Sequence, residues 1–258
     1  MRRKEENLKF RLMVVEKLRL LKKTYSYNEL AKRLGKPETV LCRYVKGDVL
    51  PGEETARELW EALSKLEGFS EILKSRLKLD EYGYADTTSL IYDPHLLMQA
   101  SIEASMRFAG KRLTKVLTAA VNGVPLATSI ALYLEIPLVV AKRTKDAGVK
   151  EFIEETYPTE SPAMLSTLYI PKDALTPKDD VLIVDDLIRT GRTVQALINL
   201  TRKAKANPVG VFVLVAFGDE WRRQLARPPC PIEVALTLPP PKPIEQAQPT
   251  APRAEGSA

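Results

Sequence analysis

The apolar positions of this chain change period along its length. Between 8 and 23, in LKFRLMVVEKLRLLKK, Phe10, Val14, Leu18 and Leu21 fall on one stripe of a helix with basic residues opposite. Ser26 and Glu29 then have the S-x-x-E spacing of a capping box, so a second helix starts there. Leu30, Ala31 and Leu34 are its buried positions, and Gly35 ends it. Pro37 suits the first turn of a third helix. In that helix Val40, Leu41 and Tyr44 face inward, and Gly47 is the stop. Two short helices joined by so tight a turn form a helix-turn-helix unit.

After a linker at 78–92 the pattern changes. KVLTAA, IPLVVA, DVLIVDD and VGVFVLVAF are short runs rich in Val, Leu and Ile, the composition of buried strands. PHLLMQASIEASMRFAG precedes them as an amphipathic helix, and PLATSIALYLE and TGRTVQALINLTRKAKA lie between them. This alternation predicts an α/β fold: a central parallel sheet with helices on both faces, preceded by an all-helical unit. The expected organisation is a helix-turn-helix domain at 1–77, a linker at 78–92 and a sheet domain at 93–238. Residues 239–258, PPPKPIEQAQPTAPRAEGSA, have nothing to bury and read as a disordered tail.

Composition narrows the function classes. Apolar residues make up 45% of the 258, enough for a core. No apolar run reaches the ~18–20 residues of a membrane span, and the opening MRRKEENLKF lacks the apolar stretch of a signal peptide. The two cysteines, Cys42 and Cys230, have no C-x-x-C spacing, and His95 is the single histidine. The expectation is a reduced, cytoplasmic protein with no membrane partner, disulfide or metal site, and no mechanism resting on a histidine base. Charge is uneven. Residues 1–50 hold 14 Lys/Arg against 6 Asp/Glu, leaving 25 against 27 in the remainder. A basic head on a near-neutral body points to a nucleic-acid surface, although a solvated basic helix face gives the same count.

The richest chemistry lies at 181–193, VLIVDDLIRTGRT. Ligands of parallel sheets bind beyond the carboxyl ends of the strands. Here an apolar strand, 181–184, runs into Asp185 and Asp186, and a helix opens near Gly191. Backbone N–H groups at the helix start, with the Thr190 and Thr193 hydroxyls, can surround a phosphate. Gly191 lets the backbone come close, and Arg189 or Arg192 can add charge. Two carboxylates beside such a nest can accept hydrogen bonds from vicinal hydroxyls, so the segment suits a ribose 5-phosphate. The plainer alternative is an aspartate pair capping the helix, with Mg²⁺ or with nothing.

VLIVDDLIRTGRT closely resembles the 5-phosphoribosyl-1-pyrophosphate (PRPP) motif of type I phosphoribosyltransferases, and the resemblance extends over roughly 85–238. It implies that Asp185 and Asp186 hold the ribose hydroxyls and that Arg189, Thr190, Gly191, Arg192 and Thr193 cradle the 5-phosphate. TAAVNGVPLATSIA resembles the family's pyrophosphate loop, with Val121, Asn122 and Gly123 along the pyrophosphate. VVAKRTKDAGVKEFIEE resembles its strand and flexible lid, which assigns Lys142 and Lys145 to the pyrophosphate, with Mg²⁺ accompanying PRPP. For these lysines an exposed basic loop is the alternative. Departures are informative. Asn122-Gly123 stands where family loops often have two glycines, and Arg189 replaces the first hydroxyl of the phosphate loop. Ala141 and Ala147 stand where orotate-specific enzymes carry arginine and histidine, which argues against orotate chemistry.

The head also has a resemblance. NELAKRLGKPETVLCRYVKGDVLPGEETA is similar to the helix-turn-helix of phage-repressor-type regulators over roughly 10–65. By position, Glu38, Thr39, Cys42 and Arg43 would face a DNA groove, and Lys32, Lys36 and Lys46 would meet phosphates. A helical bundle used for dimerisation alone is the other reading. The combination resembles archaeal regulators of the GfcR type, and the body also resembles that of the bacterial purine repressor. The resemblance implies a homodimer that binds double-stranded DNA and senses PRPP or a related nucleotide. An active purine-type phosphoribosyltransferase with an appended head is the runner-up, and an RNA-binding attenuator a more distant third.

Overall fold

A computed structural model describes residues 2–66, 68–159 and 164–242. The first four helices are α1 (Arg2–Leu21), α2 (Tyr27–Leu34), α3 (Glu38–Lys46) and α4 (Glu53–Leu66). They share a core that includes Val14, Leu18, Leu30, Leu41, Leu59 and Leu63. The predicted stripe of α1 is buried at Val14, Leu18 and Leu21, and Phe10 packs half-buried against Trp60. Helix α1 starts before residue 8 and stops at Leu21, two residues short of the periodic segment. The capping box forms: the Glu29 N–H donates to Ser26 Oγ at 3.2 Å, and the Ser26 N–H donates to the Glu29 carboxylate at 2.8 Å. Gly35 (φ 63°) and Gly47 (φ 85°) end their helices in the left-handed region. Pro37 sits one residue earlier than expected, at the N-cap of α3. Its ψ of 143° is extended, and its carbonyl accepts from the Val40 and Leu41 N–H groups.

Helix α5 (Phe69–Arg76) leads into the 78–92 stretch, which holds short elements of its own: β1 (Lys78–Leu79), β2 (Ala85–Asp86) and α6 (Thr88–Ile91). Its turn is fixed by Asp80, whose carboxylate accepts from the Tyr82 and Tyr84 N–H groups at 3.0 and 2.8 Å. Next come α7 (Pro94–Arg107), β3 (Lys115–Ala119), α8 (Gly123–Leu134), β4 (Leu138–Ala141), β5 (Phe152–Pro158) and β6 (Leu165–Pro171). The chain continues through β7 (Asp180–Ile188), α9 (Arg192–Lys203), β8 (Asn207–Phe217), α10 (Glu220–Gln224) and β9 (Ile232–Leu238).

The fold is α/β, with a five-stranded parallel sheet of order β4-β3-β7-β8-β9. One face carries Leu182, Val184 and Phe212 under α7 and α8; the other carries Val181, Ile183 and Val211 under α9. The order puts β7 in the middle, so the loops after β4, β3 and β7 converge on one rim. Strand β9 and the antiparallel hairpin β5–β6 were not among the expected strands. FIEETYP and LSTLYIP keep polar residues because half of each strand is solvated, which removes the apolar run that marks a buried strand. The hairpin joins the sheet edge where Lys142 and Tyr169 exchange backbone hydrogen bonds at 3.0 and 2.8 Å.

Helix α1 touches both parts of the chain. Lys17, Leu20 and Leu21 line one cavity with Gln99, Ile102 and Glu103 of α7, and Lys23 Nζ lies 2.5 Å from His95 Nε2. From the same helix, Arg19 Nε donates to the Val45 carbonyl near the end of α3, 2.7 Å away. Of the tail, Pro239–Lys242 is described and Lys242 donates its N–H to Tyr82 O at 2.7 Å; the disorder expected of 243–258 lies outside the described residues.

Candidate functional site

Strand β7 does not stop at Val184, as its apolar run suggested. It continues through both aspartates to Ile188, because pairing with β8 persists at Asp185↔Val213, Leu187↔Val215 and Ile188↔Ala216. Adjacent carboxylates are therefore held by the backbone of the central strand. Asp185 is 7% exposed and Asp186 6%. Burial pushes the Asp185 carboxyl well above the ordinary range, and the neighbouring Asp186 charge adds to it. Burial also raises Asp186, against the pull of a hydrogen bond that Thr87 Oγ1 donates to Oδ2 at 3.1 Å. The Asp186 N–H donates to Asp185 Oδ1, 3.1 Å away.

Beyond the acids, residues 189–191 wrap a cavity of about 140 Å³ lined by Asp185, Ile188, Thr190, Gly191, Thr193 and neighbouring residues. That is about ten times the room one water needs. The cavity sits at the start of α9, where unpaired N–H groups and the positive end of the helix favour an anion. Gly191 caps α9 at φ 77°, and a Cβ there would lie 3.2–3.3 Å from Leu225 and Trp221, so both backbone and packing call for glycine. Arg189 lies over the Tyr84 ring at 5.2 Å. The Arg192 guanidinium reaches the Thr159 carbonyl, which ties the start of α9 to the hairpin end.

The loop after β3 closes the other side. Val121 and Asn122 are exposed, the Ala120–Val121 peptide is cis, and Gly123 opens α8. A Cβ on Gly123 would lie 2.4 Å from Thr118 Oγ1 and 3.2 Å from Asp185 Oδ1. Glycine thus lets the α8 N-terminus approach Asp185. Sequence reasoning put Val121–Gly123 and Asp185–Thr193 in one site, and the fold brings them to one rim. Lys142 follows β4 on that rim and pairs with Asp146 at 3.0 Å. Lys145 is turned to the hairpin, paired with Glu154 at 3.1 Å and 4.8 Å from the centre of the Tyr169 ring. Tyr84 and Thr87 were missed. Neither belongs to a motif, and Thr87 is 99 residues from its partner, so no local signal marks them.

In the head, Glu38, Thr39, Cys42 and Arg43 lie on one face of α3: Cys42 is half-buried and the other three are exposed. Glu38 accepts from Asn28 Nδ2 at 3.0 Å. Lys32 and Lys46 are exposed, whereas Lys36 is half-buried and paired with Glu58 at 2.7 Å.

Residues 95–228 match the phosphoribosyl transferase domain model, and the chain belongs to that family. The purine biosynthesis transcriptional repressor PurR of Bacillus subtilis is 29% identical over 133 residues, which cover 52% of this chain and 47% of the repressor. A xanthine phosphoribosyltransferase of Alkaliphilus metalliredigens is 32% identical over 130 residues, covering 49% of this chain and 63% of the enzyme. The chain thus spans about half of one relative and under two thirds of the other. Among solved structures, the adenine phosphoribosyltransferase of Rhodothermus marinus superposes with a TM-score of 0.59 at 26% identity, covering 66% of this chain and 98% of that one. The Trypanosoma brucei adenine phosphoribosyltransferase, solved with AMP, pyrophosphate and ribose-5-phosphate, shares the fold at TM-score 0.59 and 19% identity, over 66% of this chain and 79% of that one.

The buried acid pair carries a stability prediction. A carboxyl whose pKa is raised by folding favours the fold below its unfolded pKa and loses that contribution as pH rises through the folded value. At neutral pH the pair is thus a net cost. Asp185→Asn should raise the ligand-free melting temperature at pH 7 by roughly 2–4 °C, the shift that about 1 kcal/mol gives a chain of this size. The gain should shrink as pH falls from the raised folded-state value toward the ordinary carboxylate value. Thermal melts across pH check both the sign and the trend.

Proposed function

We propose that this protein is a DNA-binding transcription regulator that senses PRPP or a related nucleotide through its phosphoribosyltransferase-like domain. The carrying observation is one chain with two sites: buried Asp185–Asp186 beside an anion cavity, and an exposed polar face on α3. The similarity to a purine repressor supports the pairing. In this reading 1–77 is the DNA-binding domain, 78–92 the linker and 93–238 the sensor. Asp185 and Asp186 take the ribose hydroxyls, and Arg189–Thr193 the 5-phosphate. Val121–Gly123 and Lys142 face the pyrophosphate, and Lys145 joins them by leaving Glu154. Mg²⁺ enters with PRPP, held chiefly by phosphate oxygens and water. Helix α3 presents Glu38, Thr39, Cys42 and Arg43 to base edges, with Lys32, Lys36 and Lys46 near phosphates. A homodimer would place two such helices about one DNA turn apart. A cytoplasmic location accords with these ligands, and no described helix is long and apolar enough to cross a membrane.

The enzyme reading keeps the same PRPP site and is favoured by one observation, the 32% identity to a xanthine phosphoribosyltransferase. The two separate on turnover. Calorimetry should find PRPP binding with Mg²⁺, and the double variant Asp185→Asn, Asp186→Asn should lose it by at least a hundredfold while remaining folded. Incubation of the wild type with PRPP, Mg²⁺ and each purine base should release no pyrophosphate. Release above background would make the chain a transferase; unchanged affinity in the double variant would remove the ribose assignment.

The head makes its own prediction. Arg43 is exposed and makes no ion pair among the described residues, so it is the side chain of α3 placed to read guanine, worth ~1–3 kcal/mol per bidentate contact. Arg43→Ala should erase preference for a selected site over random DNA. Lys32→Ala and Lys46→Ala should weaken all DNA about equally and flatten the salt dependence. Fluorescence anisotropy at several salt concentrations distinguishes the two effects; an unchanged preference in Arg43→Ala would place another element in the groove.

A further inference from the structure

The 84–87 stretch lies against both ends of the candidate ribose-phosphate motif. At one end Thr87 Oγ1 donates to Asp186 Oδ2 at 3.1 Å, with both residues no more than 6% exposed. At the other, the Tyr84 ring lies 5.2 Å from the Arg189 guanidinium carbon, within cation–π range. The stretch is itself anchored. Tyr84 donates its N–H to Asp80 at 2.8 Å, and β2 pairs with β1 through Ala85↔Leu79 and Asp86↔Lys78. On the far side, Thr87 begins the turn of α6, its carbonyl accepting from the Leu90 and Ile91 N–H groups.

We propose that Thr87 is a positioning residue of the sugar site: it fixes the plane of the Asp186 carboxylate so that Oδ1 meets a ribose hydroxyl. The proposal rests on the PRPP reading of the acids and adds a residue from outside the motif. A carboxylate on a free χ2 torsion samples a broad range of planes. Inside a protein, a donor held by the backbone selects one. Thr87 can do so because its own backbone is tied on both sides, whereas water in its place would move with the carboxylate. Asp185 has a different constraint: its Oδ1 is occupied by the Asp186 N–H, and the α8 N-terminus stands against it. The two acids are thus held through different donors, the Asp186 N–H for one and the Thr87 hydroxyl for the other. Tyr84 acts on the other end of the ligand, restricting Arg189 beside the 5-phosphate cavity.

The test uses ribose 5-phosphate and inorganic pyrophosphate as separate probes, with calorimetry on the full chain. Thr87→Val keeps the shape and removes the donor; Thr87→Ser keeps the donor. Thr87→Val should weaken ribose 5-phosphate about tenfold or more and leave pyrophosphate affinity within twofold, while Thr87→Ser should restore most of the sugar affinity. A purely structural role would weaken both probes together and would not separate Ser from Val, and that pattern overturns the proposal. Wild-type affinity for ribose 5-phosphate in Thr87→Val also overturns it, leaving the PRPP reading intact. Failure of the wild type to bind ribose 5-phosphate overturns both.

Discussion

The central strand of the sheet buries two adjacent carboxylates near its end. Taking a charge out of water costs several kcal/mol, and placing a second one beside it costs more. The fold offsets part of that cost by keeping Asp185 and Asp186 in the β-ladder, by the Thr87 hydroxyl, and by the N-terminus of α8, which Gly123 allows close to Asp185. What remains uncompensated is available to a ligand. Hydroxyl donors, a cation or a proton each relieve it, and a cavity lies a few residues on at the start of α9.

Much of this was legible in the sequence, for identifiable reasons. The capping box at Ser26–Glu29 and the glycine stops at 35 and 47 are local chemistry, and local chemistry reads directly. The buried strands read as apolar runs because both faces of a parallel sheet are covered. The hairpin β5–β6 did not, since its solvated half carries Glu154, Glu155 and Thr156 where a buried strand would carry valine. The contiguous motifs at 121–123 and 185–193 were legible, and the fold brings them to one rim. What the sequence could not offer was Thr87 and Tyr84, whose roles are created by folding a stretch with no period of its own onto a motif a hundred residues away. Nor could it tell that Lys36, Arg192 and Lys145 would find protein partners, because contacts between residues apart in sequence leave no pattern along the chain.

The geometry also supplies a physical route between the two proposed sites within one chain. The end of helix α1 meets α7 through the Lys23–His95 contact, and α7 meets α8 through the Ser101–Ser129 hydroxyl contact at 2.9 Å. The N-terminus of α8 stands at the acid pair. On its other side α1 holds the end of α3 by the Arg19–Val45 hydrogen bond. Close-packed helices transmit strain, so a ligand that moved α8 would have a chain of packed helices leading to α3.

The central claim is that occupancy of the phosphoribosyl site and occupancy of DNA are coupled, and coupling is reciprocal by thermodynamic necessity. The direct measurement is a titration of a double-stranded site selected from a random pool, with and without saturating PRPP and Mg²⁺, followed by a titration of PRPP with and without saturating DNA. The account predicts a change of at least about fivefold in DNA affinity, the lower end of typical allosteric coupling, and the same factor in the reverse titration. Equal DNA affinities with PRPP shown to be bound would contradict it.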